Sequence, residues 1–312
     1  MRVVFFGTGR FGIPVLKSLL RSSHNTLAVV TRPDARKGRG WNVTPTPVKD
    51  IVEKTAPETA VLQPVKLADK SFIEDLRSFN ADIFVVVDYG RILPREVLEI
   101  PGKYCLNLHP SLLPLYRGPA PVNRAILEGD SVTGNTVIRM NERMDSGDII
   151  LQDRTDIGEH DTSDVLSEKL SVKGAVLLLK AVDLIASGKE EFTAQDESKA
   201  TYAAKLERPE GRIEWTLPAD EICLKVRGLR PWPGTYTYLG GKVLKIIQAA
   251  ACDGPDGEFT PGQVLVSETK LIVKTGRGAL RVGKLQLEGK KAMTSDEFLL
   301  GHKDLAGTVL GQ

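Results

Sequence analysis

The chain has 312 residues, 41% hydrophobic and 26% charged, the make-up of a soluble globular protein with enough length for one or two domains. A formal net charge of +2 is too small to mark a nucleic-acid binder by itself, and no apolar run approaches the roughly 20 residues of a membrane span. The three cysteines (Cys105, Cys223, Cys252) and four histidines (His24, His109, His160, His302) are scattered without zinc-ligand spacing. Reduced packing thiols, no metal and a cytoplasmic location are expected.

The first element is an apolar strand, Val3 to Phe6, followed by GTGRFG and a helix whose apolar stripe is Ile13, Leu16, Leu19 and Leu20. Gly7, Gly9 and Gly12 read as the G-x-G-x-x-G of a dinucleotide-binding turn. That fingerprint also requires an acid at the end of the second strand. Here the second strand, Thr26 to Val30, is followed by Thr31 and Arg32, with no carboxylate before Asp34. An arginine there can accept a 2′-phosphate, which keeps an NADP reading open. The plainer alternative is that three glycines permit a tight strand-to-helix turn in any doubly wound domain.

Helices are predicted near Val48–Lys54 and Phe72–Phe79, and strands at DIFVVV and at Tyr104–His109. This alternation implies right-handed crossovers and an α/β domain with a mainly parallel sheet. Two further strands, NTVIRM and DIILQDRTDI, precede a long helix that starts at Asp161 or Thr162 and stops at Gly188. The polar stretch after Gly188 lacks periodicity and reads as a linker. Beyond it come one short helix, ADEICLKVRGL, and five short strands separated by turn residues, the pattern of a small β-barrel or sandwich. From Leu239 to Met293 nine Lys or Arg stand against five acids, a modest basic bias that a solvated face also explains.

The stretch CLNLHPSLLPLYRGPAP carries the chemistry. Asn107 and His109 share a parity in one strand, point to one face, and lie at its carboxyl end, where open α/β sheets keep their sites. Pro110 and Pro114 stiffen the loop that follows. MNERMDSGDIILQ supplies Asp145 in a glycine-containing bend between two strands. A lone histidine is ordinarily a satisfied core residue, but an amide on the same face and a carboxylate within reach fit acyl-type transfer. The set offers an oxyanion donor, a proton shuttle and an orienting carboxylate.

GTGRFGIPVL, TRPDARKGRG, DYGRILP, NLHPSLLPLYRG, MDSGDIILQ and GKKAM, in this order and at these intervals, resemble the methionyl-tRNA formyltransferase family over essentially the whole chain. The resemblance implies formyl transfer from 10-formyltetrahydrofolate to the α-amino group of methionine on the initiator tRNA. It implies a Rossmann-like, mainly parallel sheet domain (1–189), a linker (190–205) and an OB-like β-barrel that grips tRNA (206–312). Asn107, His109 and Asp145 match its catalytic trio. Ser111, Leu112, Leu113 and Pro114 match its folate-associated motif, with Tyr89, Gly90, Ile92 and Leu93 as a pterin-side loop. Arg36, Lys37 and Arg39 match the family's insertion toward the tRNA acceptor end, Trp41 in the same loop is a further candidate for tRNA contact by stacking on an unpaired base, and Lys290 and Lys291 add to the basic barrel.

Three departures stand out against that pattern: Gly9 where proline is common, Asp88 where alanine is common, and Trp41-Asn42-Val43 where lysines often follow GRG. The first completes G-x-G-x-x-G by accident, so neither NAD nor NADP is expected. The other expected attributes are no metal, no membrane and a monomeric chain. Three rivals remain: a sugar-nucleotide formyltransferase, expected to lack this GRG loop; glycinamide ribonucleotide formyltransferase, which has no use for the barrel; and an RNA-binding module with a relic α/β domain. Because the sheet, its long helix and the trio all precede the linker, a chain ended near Ala204 is expected to own a complete core.

Overall fold

The computed structural model describes residues 1–37, 42–254, 260–267 and 270–311, which leaves Arg39 and Trp41 outside the described residues. Strand β1 (Arg2–Gly7) leads through the glycine turn into helix α1 (Ile13–Arg21), with Pro14 in the first turn, where a missing N–H costs nothing. Strand β2 (Asn25–Val30) follows, then a small hairpin of β3 (Ala35–Lys37) and β4 (Asn42–Thr44). Thr46 caps helix α2 (Pro47–Thr55) by accepting the Lys49 N–H at 3.2 Å. The chain continues with β5 (Ala60–Leu62), α3 (Lys70–Ser78), β6 (Ile83–Val87), the single turn α4 (Arg95–Leu98) and β7 (Tyr104–His109). Helix α5 (Pro121–Leu127), strands β8 (Val132–Arg139) and β9 (Asp148–Asp156), and helix α6 (Ser163–Ala186) complete this part.

These strands form one sheet in the order β5-β2-β1-β6-β7-β8-β9; the first five run parallel, and β8 and β9 are antiparallel. The two-residue period of a strand sorts its side chains into two cores. Val3 and Phe5 of β1 join Leu106 and Leu108 of β7 against Leu16, Val52 and Leu178 of the helices on one face. Val4 and Phe6 join Phe84, Val86 and Cys105 against Phe72 and Leu76 on the other. From β1 the chain moves outward to β2 and β5 and then returns to β6 on the opposite side, so the strand order reverses between β1 and β6. Open α/β sheets bind ligands in the crevice at such a point.

The second compact unit contains helix α7 (Ala219–Gly228), strands β10 (Thr235–Leu239), β11 (Lys242–Cys252), β12 (Val264–Ser267), β13 (Lys270–Lys274), β14 (Ala279–Leu287) and β15 (Met293–Thr294), and helix α8 (Ser295–Leu300). The antiparallel order is β10-β11-β14-β13-β12, with β15 on β14. Register shifts around Gln248 let the long β11 bend about a core of Trp215, Ile222, Leu244, Val273, Leu280 and Phe298. Among the described residues β10 and β12 form no ladder with each other, and the sheet with its two helices is the β-rich second domain that the OB-like expectation describes.

The units divide the chain differently from the sequence-based boundaries of 1–189, 190–205 and 206–312. Unit one holds Met1–Pro121, Val132–Asp156 and Ser167–Ala203, whereas Val122–Ser131 and Ile157–Leu166 cluster with Ala204–Gln312. The expected linker is irregular yet tied down. Thr193 and Ile149 exchange backbone hydrogen bonds of 2.8 and 2.9 Å, and Arg117 exchanges bonds with Thr201 and Ala203. Its polar composition hid this, because its partner is the open edge of β9, whose unpaired backbone needs polar groups rather than an apolar stripe.

The two excursions are equally well held. Asn123 Nδ2 donates to the Gly228 carbonyl at 2.7 Å, Arg124 pairs with Glu210 at 2.6 Å, and Arg227 donates to the Asp161 carbonyl at 2.9 Å. A chain ended near Ala204 therefore strips partners from α5 and from the start of α6. Such a truncated chain is expected to melt roughly 5–10 °C below the first transition of the full-length protein, as several lost contacts in a domain of this size imply. Equal melting temperatures in calorimetry would show that the excursions need no partner.

Candidate active site

Asp145 organises the site. It has φ of +50°, a left-handed conformation that Asp tolerates better than most residues, and the bend aims its carboxylate back at the end of β7. Oδ1 accepts from Asn107 Nδ2 at 3.2 Å, and Oδ2 accepts the Gly118 backbone N–H at 2.9 Å. The same Oδ2 stands 3.6 Å from His109 Nδ1, an ion-pair distance just beyond hydrogen-bond reach. Strain at such a φ costs about 1–3 kcal/mol, whereas each hydrogen bond to a charged group contributes about 1.5–3 kcal/mol, so the two bonds outweigh the strain.

His109 is buried, and its other nitrogen, Nε2, lies 2.8 Å from the Tyr116 carbonyl. A carbonyl only accepts, so Nε2 carries the proton and Nδ1 is the nitrogen presented toward Asp145. Asn107 spends one amide N–H on Asp145 and keeps a second. The sequence thus placed the three residues correctly in relation to one another, but the orienting contact on the ring comes from a backbone carbonyl it did not show.

The supports around the trio were also hidden. Gly118 has φ of +116°, and a Cβ there would lie 2.8 Å from the Tyr202 ring and 2.9 Å from the Ala203 carbonyl, so only glycine lets this N–H reach Asp145. Gln195, in the presumed linker, donates from Nε2 to the Asp145 and Gly147 carbonyls at 2.8 and 2.7 Å. Arg117 in turn donates to Gln195 Oε1 and pairs with Glu197. A glutamine in an aperiodic polar stretch carries no signal in one sequence.

The folate candidates separate into scaffold and surface. Ser111 is fully buried and donates from Oγ to the Leu115 carbonyl at 2.6 Å, while Thr136 Oγ1 donates to the Ser111 carbonyl. Leu113 is buried and precedes a cis bond to Pro114. Tyr89 is 2% exposed, edge-on to Phe6, with its hydroxyl buried and without a partner, and Leu93 is buried beside it. These four shape the loops from beneath. Ile92, 70% exposed, and Gly90 are open, and Leu112 and Pro114 are half-buried. Leu112 and Pro114 also line a cavity of about 830 Å³ with Leu115, Gln152, Arg154 and Thr201, whose lining contains none of the trio.

Of the basic candidates, Arg36 is exposed on β3, and Lys290 and Lys291 are exposed in the turn between β14 and β15. Lys37 belongs to the same short hairpin. Lys49, in the first turns of α2, is committed elsewhere: its Nζ donates to Asp34 at 2.7 Å and to Gln63 at 3.0 Å, which holds the Asp34 carboxyl below the usual range. Among the described residues no group of three or more His, Cys, Asp or Glu gathers as for a metal ion, and no helix is long and apolar enough to cross a membrane.

The glycine turn is filled from inside. The Thr8 and Gly9 N–H groups donate to the Asp88 carbonyl at 3.1 and 3.3 Å, and a Cβ on Gly9 would overlap Asp88 Oδ2 and sit 2.7 Å from Cγ. The gap that a dinucleotide's pyrophosphate would enter holds a carboxylate, and like charges there repel. Asp34, the nearest acid after the second strand, is tied to Lys49.

An α/β sheet with Asn, His and Asp at the carboxyl end of its strands, followed by an OB-like domain, defines a formyl transferase. The formyl transferase family profile matches residues 1–182, and that of the formyl transferase C-terminal domain matches residues 205–303. A methionyl-tRNA formyltransferase of Agathobacter rectalis is 41% identical over 302 residues, covering 96% of each chain. One of Caldanaerobacter subterraneus subsp. tengcongensis is 41% identical over 311 residues, covering 99% of this chain and all of the relative. The chain belongs to the methionyl-tRNA formyltransferase family. In fold it also resembles HypX of Aquifex aeolicus, solved in complex with tetrahydrofolic acid, with a TM-score of 0.64 at 19% identity over 98% of this chain and 48% of that one.

Asp88 follows β6 with part of its surface exposed, and the protein packed around its carboxyl pushes it up to about 6. Its ordinary value is 3.8, so a cost of the ionised group, reduced by solvent screening at this exposed position, is present above pH 6, shrinks as pH falls from 6 to 3.8 and vanishes below that. Asp88→Asn is therefore expected to raise the melting temperature at pH 8 and to leave it unchanged near pH 3.5. An equal gain at both pH values would show that charge is not the cause.

Proposed function

We propose that Asn107, His109 and Asp145 transfer the formyl group of 10-formyltetrahydrofolate to the α-amino group of methionine on the initiator tRNA. The observation that carries this reading is the single carboxylate of Asp145, which holds the Asn107 amide and the Gly118 N–H and faces His109 Nδ1. The donor supplies a formyl carbon on a nitrogen that leaves once it is protonated.

His109 takes a proton at Nδ1 as the amine nitrogen bonds to the formyl carbon, while Nε2 stays on the Tyr116 carbonyl and keeps the ring from turning. Asp145 compensates the imidazolium charge across 3.6 Å. Asn107 donates its remaining amide N–H to the oxygen that becomes an oxyanion in the transition state. The proton on His109 then passes to the donor nitrogen as its bond to the formyl carbon breaks. No covalent bond to the protein is needed, because positioning and proton transfer carry the reaction. Exposed Gly90 and Ile92 with half-buried Leu112 and Pro114 suit a flat heteroaromatic ring, which wants apolar walls and backbone hydrogen-bonding groups.

The tRNA is met by Arg36 and Lys37 of β3, by Arg39 and Trp41, which follow them in sequence, and by the exposed Lys242, Lys245, Arg281, Lys284, Lys290 and Lys291 of the second unit. Contacts of this kind neutralise phosphates and weaken with added salt. The chain acts as a monomer in the cytoplasm. His109→Ala and Asp145→Asn are each expected to cut kcat/KM for methionyl-tRNA by about a hundredfold or more, with melting temperatures showing that the fold is kept. Near-normal turnover of either folded variant removes that residue from the mechanism.

A further inference from the structure

We propose that Arg117 is a positioning residue for formyl transfer: its guanidinium locks the Gln195 amide, and the locked amide holds the bend that aims the Asp145 carboxylate at His109. This rests on the formyl-transfer reading above. The Gln195 amide has a single workable orientation. Its Nε2 faces the Asp145 and Gly147 carbonyls, 2.8 and 2.7 Å away, which only accept, whereas its Oε1 faces Nε and Nη2 of Arg117, 3.1 and 2.8 Å away, which only donate. Turning the amide over would set oxygen against oxygen and N–H against N–H. Arg117 therefore decides which end of the amide meets the bend.

Arg117 is itself held from several sides. Its side chain is 12% exposed, Glu197 takes the outer edge of the guanidinium in two bonds of 3.0 Å, and its backbone N–H and carbonyl are bonded to Thr201 and Ala203 at 2.9 and 2.7 Å. Four of the five guanidinium N–H groups are thus committed to Gln195 and Glu197. Arg117 acts through its neighbours rather than as a ligand for phosphate.

The residues on either side of Arg117 are the ones that touch the trio from this loop. Tyr116 offers its carbonyl to His109 Nε2, and Gly118 gives its N–H to Asp145 Oδ2. A closed ring results. Asp145 is held by its side chain through Gly118 and by its carbonyl through Gln195, and Arg117 joins these two arms with its own backbone and side chain. The bend has φ of +50° at Asp145, a conformation that persists only while its surroundings enforce it. A misplacement of about 1 Å at such a group costs on the order of a hundredfold in rate.

The test is formylation of methionyl-tRNA by the full-length enzyme, read as the single-turnover rate with enzyme in excess and as the KM for each substrate. Arg117→Met removes the guanidinium; Gln195→Glu keeps an acceptor for Arg117 and puts an oxygen where the N–H groups meet the bend. Each variant is expected to slow single turnover by about tenfold to a hundredfold, with both KM values unchanged within about twofold. Because the two side chains form one relay, the double variant should be no slower than the slower single within about twofold, and Arg117→Lys, which keeps a donor for Oε1, should recover part of the rate lost in Arg117→Met. Three results overturn the proposal: normal single turnover by folded Gln195→Glu, which leaves the clamp as a tie for the fold; losses that multiply in the double variant, which makes the two contacts independent; and a raised KM for methionyl-tRNA at a normal single-turnover rate, which puts the altered residue on the acceptor. Should Arg117→Met fail to fold, Gln195→Glu and Arg117→Lys decide the first and third of these. None of them touches the formyl-transfer reading, which falls only if the unaltered enzyme does not formylate methionyl-tRNA.

Discussion

The carboxylate of Asp145 is the constraint on which the candidate site depends. It sits on a left-handed residue between two antiparallel strands, and three separate segments converge on it: the end of β7 through Asn107 and His109, the loop after Tyr116 through the Gly118 N–H, and the stretch after α6 through Gln195. Each segment is there for a local reason. Ser111 and Thr136 tie down the loop that brings Tyr116 to His109, and the β9 edge captures Thr193, which delivers Gln195 to the Asp145 carbonyl. Without the carboxylate, a buried histidine and a half-buried amide would face one another with no common partner.

The glycine turn shows how one motif serves different ends on the same topology. A strand, a G-x-G-x-x-G and a helix are present with the geometry of a nucleotide site, and the strand order reverses at that point. Which ligand enters is decided by what fills the turn. Here the missing Gly9 side chain admits the Asp88 carboxylate, and the turn's N–H groups are spent on the Asp88 backbone rather than on a phosphate. The location of the crevice belongs to the fold; its charge belongs to one side chain.

Much of this was legible in the sequence where a period repeats. The strands from Val3, Ile83 and Tyr104, the long helix to Ala186 and the run of barrel strands follow from alternation and turn residues. The shared face of Asn107 and His109 follows from parity alone. Short elements such as β5, α4 and α5 were not foreseen, since three to seven residues hold no full period. The positive φ of Tyr116 and Asp145, the role of Gln195 and the interleaving of Val122–Ser131 and Ile157–Leu166 with the second unit were also hidden. They arise from contacts between residues tens of positions apart, which pattern within one segment does not encode.

This geometry serves to formylate one particular amine. The most direct measurement supplies 10-formyltetrahydrofolate to the purified enzyme with charged initiator methionyl-tRNA, free methionine, glycinamide ribonucleotide and an amino-sugar nucleotide in parallel, and identifies each product by mass. N-formylmethionyl-tRNA is the expected dominant product, with the other three amines formylated slowly or not at all. Rapid formylation of the ribonucleotide or the sugar, with methionyl-tRNA left untouched, would contradict it.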